Sequence, residues 1–402
     1  LYTNLINPDN RNIPLSSCPN FNANHFRSID RPLTEAERKE IGSWSSRTNP
    51  TATSATFSYS YGDFPKDEEK AVEKYFDAML YAANWGTKRL MFRLPKELVD
   101  LEALAAYTFE GKWASDYVKL TEHKACFLLD IYFSNEGGGT WLEEDSYSLD
   151  DLALIREDIL AGDYRALYLL WMQFALGFSA YYDDEDEEDT PDEETTDQTP
   201  PPIPANLTKL TGGLQAFIEF FEIDSDLVAA VQSISPVIET QGPDFRQLIE
   251  ALPENERTDW LVRLANDEPR LGKSFNKFLR QLTPSKKHTS SASPSLVAMR
   301  TLIHKKEKER LKREEQATKR AHIRRMEQLA RQEAALWTSV DENLLKATGS
   351  SYDKAAATLK DLQDLAVYQD NVPGFKAKMS ALREQYARKK ALIGRFDGVG
   401  LW

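Results

Sequence analysis

Apolar and polar positions along the chain change period from one stretch to the next. Thr53 to Ser60 alternates Thr and Ser with Phe and Tyr. Lys88 to Leu94 alternates too, with Leu90 and Phe92 on one side and Arg89, Met91 and Arg93 on the other. Successive side chains of an extended chain point to opposite faces, so both stretches predict strands. His25 to Asp30, Tyr117 to Leu120 and Ala125 to Phe133 are further expected strands, and Thr121-Glu122-His123-Lys124 suits a hairpin turn between the last two.

Other stretches carry the helical period. Pro32-Leu33-Thr34 opens one, with Thr34 as N-cap and Glu37 three residues on, the spacing of a capping box. Val72, Phe76, Met79, Leu80 and Ala83 predict a second helix, closed by Asn84-Trp85-Gly86 with Gly86 in the left-handed terminal position. A short helix is expected over Asp100 to Tyr107, and one or two over Leu149 to Phe178, interrupted near Gly162-Asp163. Strands mixed with helices in this order predict an α+β domain over 25–182, after an extended or disordered segment over 1–24.

Beyond it the pattern is helical throughout. Asp183 to Gln198 holds eleven acidic residues and no basic one, and Thr199-Pro200-Pro201-Pro202 follows, so 183–206 reads as a self-repelling linker. Residues 207–283 read as an all-helical module, with apolar stripes such as Leu214, Phe217, Ile218 and Phe221 punctuated by Ser235-Pro236, Pro243, Pro253 and Pro269. A Ser- and Lys-rich linker spans 284–294. Over 295–402, Leu296 to about Lys346 lacks proline and glycine and predicts one long charged helix, ~75 Å if unbroken. Its last half carries Ile323, Met326, Ala330, Trp337, Val340 and Leu344 mostly at the three-and-four spacing of coiled-coil packing. After Gly349-Ser350-Ser351, the stripe Tyr352, Ala355, Leu359, Leu362 and Ala366, then a turn at Pro373-Gly374, then Phe375, Met379, Leu382 and Tyr386, predict a C-terminal helical hairpin or three-helix unit.

Charge changes this picture. The chain of 402 residues has a net charge of −14, yet Arg300 to Glu333 holds 12 Lys/Arg against 6 Asp/Glu. Lys305, Lys306, Lys308, Arg310, Lys312, Arg313, Lys319, Arg320, Arg324 and Arg325 cluster there. Such a stripe suits a nucleic acid or another acidic partner, because each cation that neutralises a phosphate releases counter-ions. Glu307, Glu309, Glu314 and Glu315 are interleaved, and pairs such as Glu309 to Arg313 and Glu315 to Lys319 support a solvated spacer helix instead. The acidic linker is expected to fold over the basic helix when no partner is bound, a contact that salt would weaken.

Candidate chemistry is sparse. Cys18 and Cys126 are too few for a disulfide framework or a zinc site, and His25 and His123 stand alone. No Gly-x-Ser-x-Gly occurs, and Cys126 sits beside Phe127 and Leu128 in an expected core strand. His123 with Asp130 makes an imaginable base and orienter without a nucleophile. Gly137-Gly138-Gly139 leads to Glu143-Glu144-Asp145, which would repel phosphate, although that acidic cluster with Asp150 and Asp151 could attract a divalent cation. The dense set Tyr59, Tyr61, Phe64, Tyr75, Phe76, Tyr81 and Trp85 suits core packing or a recognition groove. The polar opening over Leu1 to Asn24 has no secretory plan, and Ala166 to Tyr182 falls short of a membrane span, so a reducing cytoplasm is expected.

Two stretches carry a resemblance. Ile29-Asp30-Arg31-Pro32-Leu33-Thr34, Tyr61-Gly62-Asp63-Phe64, Ala83-Asn84-Trp85-Gly86-Thr87, Arg93-Leu94-Pro95 and Gly162-Asp163-Tyr164-Arg165-Ala166-Leu167 resemble a family of uncharacterised bacterial proteins. Tyr352-Asp353, Leu359-Lys360-Asp361-Leu362 and Ala387-Arg388-Lys389-Lys390-Ala391-Leu392-Ile393 are similar to the closing segment of bacterial SWIM zinc-finger proteins. The Cys-x-Cys and Cys-x-His of such a finger are missing, so that similarity implies a shared docking tail without metal binding. Together these features predict a non-catalytic adaptor with no cofactor, binding protein partners through its α+β domain and C-terminal helices. The alternatives are a nucleic-acid-associated protein using 305–325 and an enzyme with a site of dispersed carboxylates.

Overall fold

A computed structural model describes residues 21–60, 62–110, 116–134, 147–177, 199–238, 245–266, 271–282 and 293–401. The chain forms two compact units, Leu1–Lys306 and Glu307–Trp402. The first is α+β. Its strands are β1 (Asn22–Arg27), β2 (Ser54–Tyr59), β3 (Ala78–Ala83), β4 (Thr87–Pro95), β5 (Phe109–Glu110), β6 (Tyr117–Glu122) and β7 (Cys126–Ser134). They make one antiparallel sheet in the order β2-β1-β3-β4-β7-β6-β5.

Register assigns each strand residue to a face. The row Leu80, Leu90, Ile131, Val118 belongs to one face, covered by α4 (Leu149–Leu160) and α5 (Arg165–Ala175). The core there continues into α6 (Gly212–Phe220), α7 (Ser225–Ile234) and the first turns of the long helix, where Leu296, Met299 and Ile303 are buried. The sheet, α6 and α7 therefore share one interior, although the sequence divides them at 183–206. The opposite face carries a second cluster, Phe26, Phe57, Met79, Met91 and Leu128, beneath α1 (Glu35–Gly42) and α2 (Glu68–Tyr75). Thr34 caps α1 in the expected box with Glu37, and the hydrogen bond from Arg31 holds the Glu37 carboxyl down at about 2.

The helix expected through Val72 to Ala83 is two elements. α2 ends at Tyr75, and Ala78–Ala83 is the strand β3, hydrogen-bonded to β1 and β4. Five of its six residues are buried, because both faces of the sheet are covered at this strand, and that removes the alternation that marks a half-exposed strand. Asn84-Trp85-Gly86 is the hairpin turn into β4, with Gly86 at φ 97° donating its N–H to the Ala83 carbonyl at 3.0 Å. β1 lies three residues earlier than the expected strand at His25 to Asp30. The remainder of the first unit is α3 (Leu101–Ala105), capped by Asp100, and the helices α8 (Phe245–Ala251), α9 (Glu254–Ala265) and α10 (Leu271–Leu282).

The long helix α11 runs unbroken from Leu296 to Lys346. In the second unit it is joined by α12 (Gly349–Tyr368), α13 (Val372–Gln385) and α14 (Lys390–Gly398). Met326, Val340 and Leu344 of α11 are buried, and Val340 and Leu344 share a core with Leu359, Leu362, Phe375, Met379, Leu392 and Phe396. Thr348 and Ser351 form the box that starts α12, and Pro373 lies in the first turn of α13, where its missing N–H costs nothing. α14 adds a helix beyond the expected hairpin. Among the described residues no helix is long and apolar enough to cross a membrane. The acidic run Asp183 to Asp197, the glycine loop with Glu143-Glu144-Asp145, Cys18 and Tyr61 lie outside the described residues.

Candidate binding surfaces

Buried ionisable groups of the first unit's sheet are drawn into internal networks. Arg156 projects from the apolar stripe Leu152, Ile155 and Ile159 of α4 and is fully buried. Its Nε donates to the Arg93 carbonyl at 2.8 Å, and its Nη2 lies 2.8 Å from Asp30 and 3.7 Å from Asp77. Asp77 also accepts from the backbone N–H of Ile29 and Asp30 at 2.7 and 2.8 Å and from Arg93 at 2.9 Å. This cluster fixes α4 to the end of β1, β3 and β4. An arginine inside an apolar helical stripe was the sequence signal for it.

A second network crosses the opposite face. Asn24, Tyr81, Arg89, Tyr132 and Tyr117 are in register across β1, β3, β4, β7 and β6. Arg89 forms a fork with Asp130 at 2.7 and 2.8 Å and an ion pair with Glu68 of α2. Tyr117 donates to the same Asp130 at 3.0 Å and stacks on Tyr132 with centroids 5.4 Å apart. Burial raises the phenol pKa of Tyr81 and Tyr117, and neighbouring carboxylates add to it. Asp130 is therefore engaged by Arg89 and Tyr117, while His123 lies 3.1 Å from Glu73, so the imagined His123–Asp130 pair is not formed. Lys88, 2% exposed, reaches Glu222 at 2.7 Å between the rings of Phe133 and Phe220; desolvation lowers its pKa and the carboxylate partly restores it. Asp30, Asp77, Glu68, Asp130 and Glu222 are thus held by arginine and lysine.

Of the aromatic set, Phe64, Tyr75 and Phe76 pack in the cluster beneath α1 and α2, with Tyr59 and Tyr81 half-buried at its margin. Trp85 is 41% exposed at the hairpin tip. Cys126 is a buried free thiol, and burial raises its pKa. Burial lowers the pKa of His25, whose Nε2 has no hydrogen-bond partner. Among the described residues no group of three or more His, Cys, Asp or Glu gathers as a metal site.

The ten cations expected to form a surface lie along α11. Lys305 and Lys306 fall in the first unit, and Lys308, Arg310, Lys312, Arg313, Lys319, Arg320, Arg324 and Arg325 in the second. Every residue from Leu311 to Arg325 is exposed. Arg310 pairs with Glu314 at 3.2 Å and Lys319 with Glu315 at 2.5 Å, each at i,i+4 spacing. Arg313 donates to the Glu309 carbonyl at 3.2 Å, and Arg325 pairs with Asp361 of α12 at 2.5 Å. Lys308, Lys312, Arg320 and Arg324 have no ion-pair partner among the described residues.

No family model matches this chain, and no curated protein or solved structure matches it.

Proposed function

We propose that this chain is a non-catalytic adaptor of the reducing cytoplasm whose second unit docks a negatively charged partner on α11. The observation that carries the reading is the pairing pattern. Charged groups of the first unit's sheet are matched within the fold, whereas Lys308, Lys312, Arg320 and Arg324 stand exposed on α11 with no counter-ion among the described residues. A cation already in water loses little solvation when a partner's anion replaces the solvent, so these side chains add to association rate and salt-dependent affinity. The tail's similarity to a SWIM-protein closing segment supports a docking role. Half-buried Tyr81, Tyr117 and Tyr132 give the α+β domain an aromatic row for a second partner, since aromatic anchors dominate binding energy. The free thiol of Cys126 supports the compartment.

Proteins and nucleic acids retained from cell lysate by the full chain are to be compared with those retained by the K308E/K312E/R320E/R324E variant at low and high salt. The expected result is a partner lost from the variant and released as salt rises. A partner set identical for both proteins at low salt would overturn the reading.

A further inference from the structure

Six cations of α11 form two rows. Lys308, Lys312 and Lys319 follow one another by four and seven residues, and Arg313, Arg320 and Arg324 by seven and four. At ~100° per residue each row stays on one side of the helix, and the two rows stand about 120° apart over ~24 Å of axis. Between them run Glu309, Gln316 and Ile323.

We propose that this stretch binds duplex DNA by lying along its major groove, one row of cations against each flanking phosphate backbone. The inference rests on the docking reading above and names the partner's chemistry. A helix with its side chains is ~10–12 Å across, and the B-form major groove is ~12 Å wide. Entry requires a helix with little tertiary cover, and residues 311–325 are all exposed, with α12 meeting the helix at His322 and Arg325 through Tyr368 and Asp361. The face of an acidic protein would meet one row and leave the other in solvent. The A-form groove of duplex RNA is too deep and narrow to admit a helix. Few aromatics lie in this stretch, so a stacking platform for single strands is missing from it. The line between the rows offers one carboxylate, one amide and one aliphatic side chain to the bases. Binding therefore follows the backbone and tolerates sequence.

The test is fluorescence anisotropy with the full chain and three labelled probes: a DNA duplex of about 30 base pairs, the RNA duplex of the same sequence, and poly-glutamate. DNA is expected to bind tightest, with a slope of log affinity on log salt of about −3.6 for four neutralised phosphates. The K308E/K312E/R320E/R324E variant, with helical circular dichroism and melting unchanged, is expected to lose at least ~10-fold in affinity and most of that slope. Poly-glutamate binding tighter than DNA, and lost in the variant, would overturn the DNA assignment and leave the docking reading standing. DNA binding equal in variant and parent would also overturn it. No binding of any probe at low salt would overturn both.

Discussion

Arg156 and Lys312 bear the same charge in opposite surroundings. Arg156 is fully buried, held by Asp30, Asp77 and the Arg93 carbonyl. Lys312 stands on an exposed turn of α11 with no ion-pair partner among the described residues. The contrast extends to the whole units. Leu1–Lys306 carries 31 Lys/Arg against 50 Asp/Glu, while Glu307–Trp402 carries 19 against 14. The first unit is thus acidic overall yet places its buried cations where carboxylates neutralise them. The second is basic overall and leaves part of its positive charge in water. A buried pair has been desolvated during folding and has nothing left to offer a partner. An exposed, unmatched cation contributes little to folding and is available for association.

The sharpest way to break this comparison is to remove one charge from each side. Arg156→Met leaves Arg93 as the remaining arginine beside Asp77 and Asp30, at 2.9 and 4.0 Å, and loss of ~3 kcal/mol is expected. Lys312→Met removes a solvated charge, and a change within ~0.5 kcal/mol is expected. Urea denaturation followed by circular dichroism measures both. Similar losses at the two positions would mean that the Arg156 network is not what anchors α4 to the sheet.

Much of this architecture is legible in the sequence, and each failure has its own physical cause. The strands β2 and β4 alternate in sequence, and β6 and β7 are marked by their β-branched and aromatic residues. The cap of α1 is local, and Thr34 with Glu37 declares it. β3 is covered on both faces, so Ala78-Met79-Leu80 reads as a continuation of the helical stripe from Val72. Asp77 marks the break, but its role depends on the N–H groups of Ile29 and Asp30, far away in sequence. β5 has two residues and no period to read. α14 buries only Leu392 and Phe396. The cation rows on α11 are visible as spacing, whereas their state of neutralisation is not. Arg325 is matched by Asp361, 36 positions on, and nothing local distinguishes it from Arg324.

A smaller test uses protons. His25 lies on the α4 face of the sheet, edge-on to Tyr147, and burial lowers its pKa below 6.5. Between that lowered value and 6.5 the unfolded chain binds more protons than the folded one. Stability is then fully present above pH 6.5 and falls as pH drops toward the folded pKa, by at most ~1.4 kcal/mol per pH unit. His25→Phe is expected to flatten that slope in a series of urea midpoints. A slope unchanged by the substitution would assign the acid sensitivity to other groups.

The smallest effect probes the exposed stretch itself. From Leu311 to Arg325 no side chain is buried, so this part of α11 is held by the helical segments at its ends, by propensity, by the pairs Arg310–Glu314 and Glu315–Lys319, and by the contacts of His322 and Arg325 with α12. An isolated helix of this length is marginal in water. Ala317→Gly raises backbone entropy at its centre and is expected to cost ~1 kcal/mol. Because no packing is lost, the change should appear as faster hydrogen exchange of amides near residue 317, with exchange around Val340 and Leu359 unaltered. If instead the whole second unit exchanges faster, the exposed helix and the core beyond it unfold together, and charge on this stretch would report on stability as well as on binding. Exchange unchanged at every amide would mean that its ends hold the helix more firmly than local propensity does. In that case the two rows of cations sit on a rigid rod already shaped for its partner.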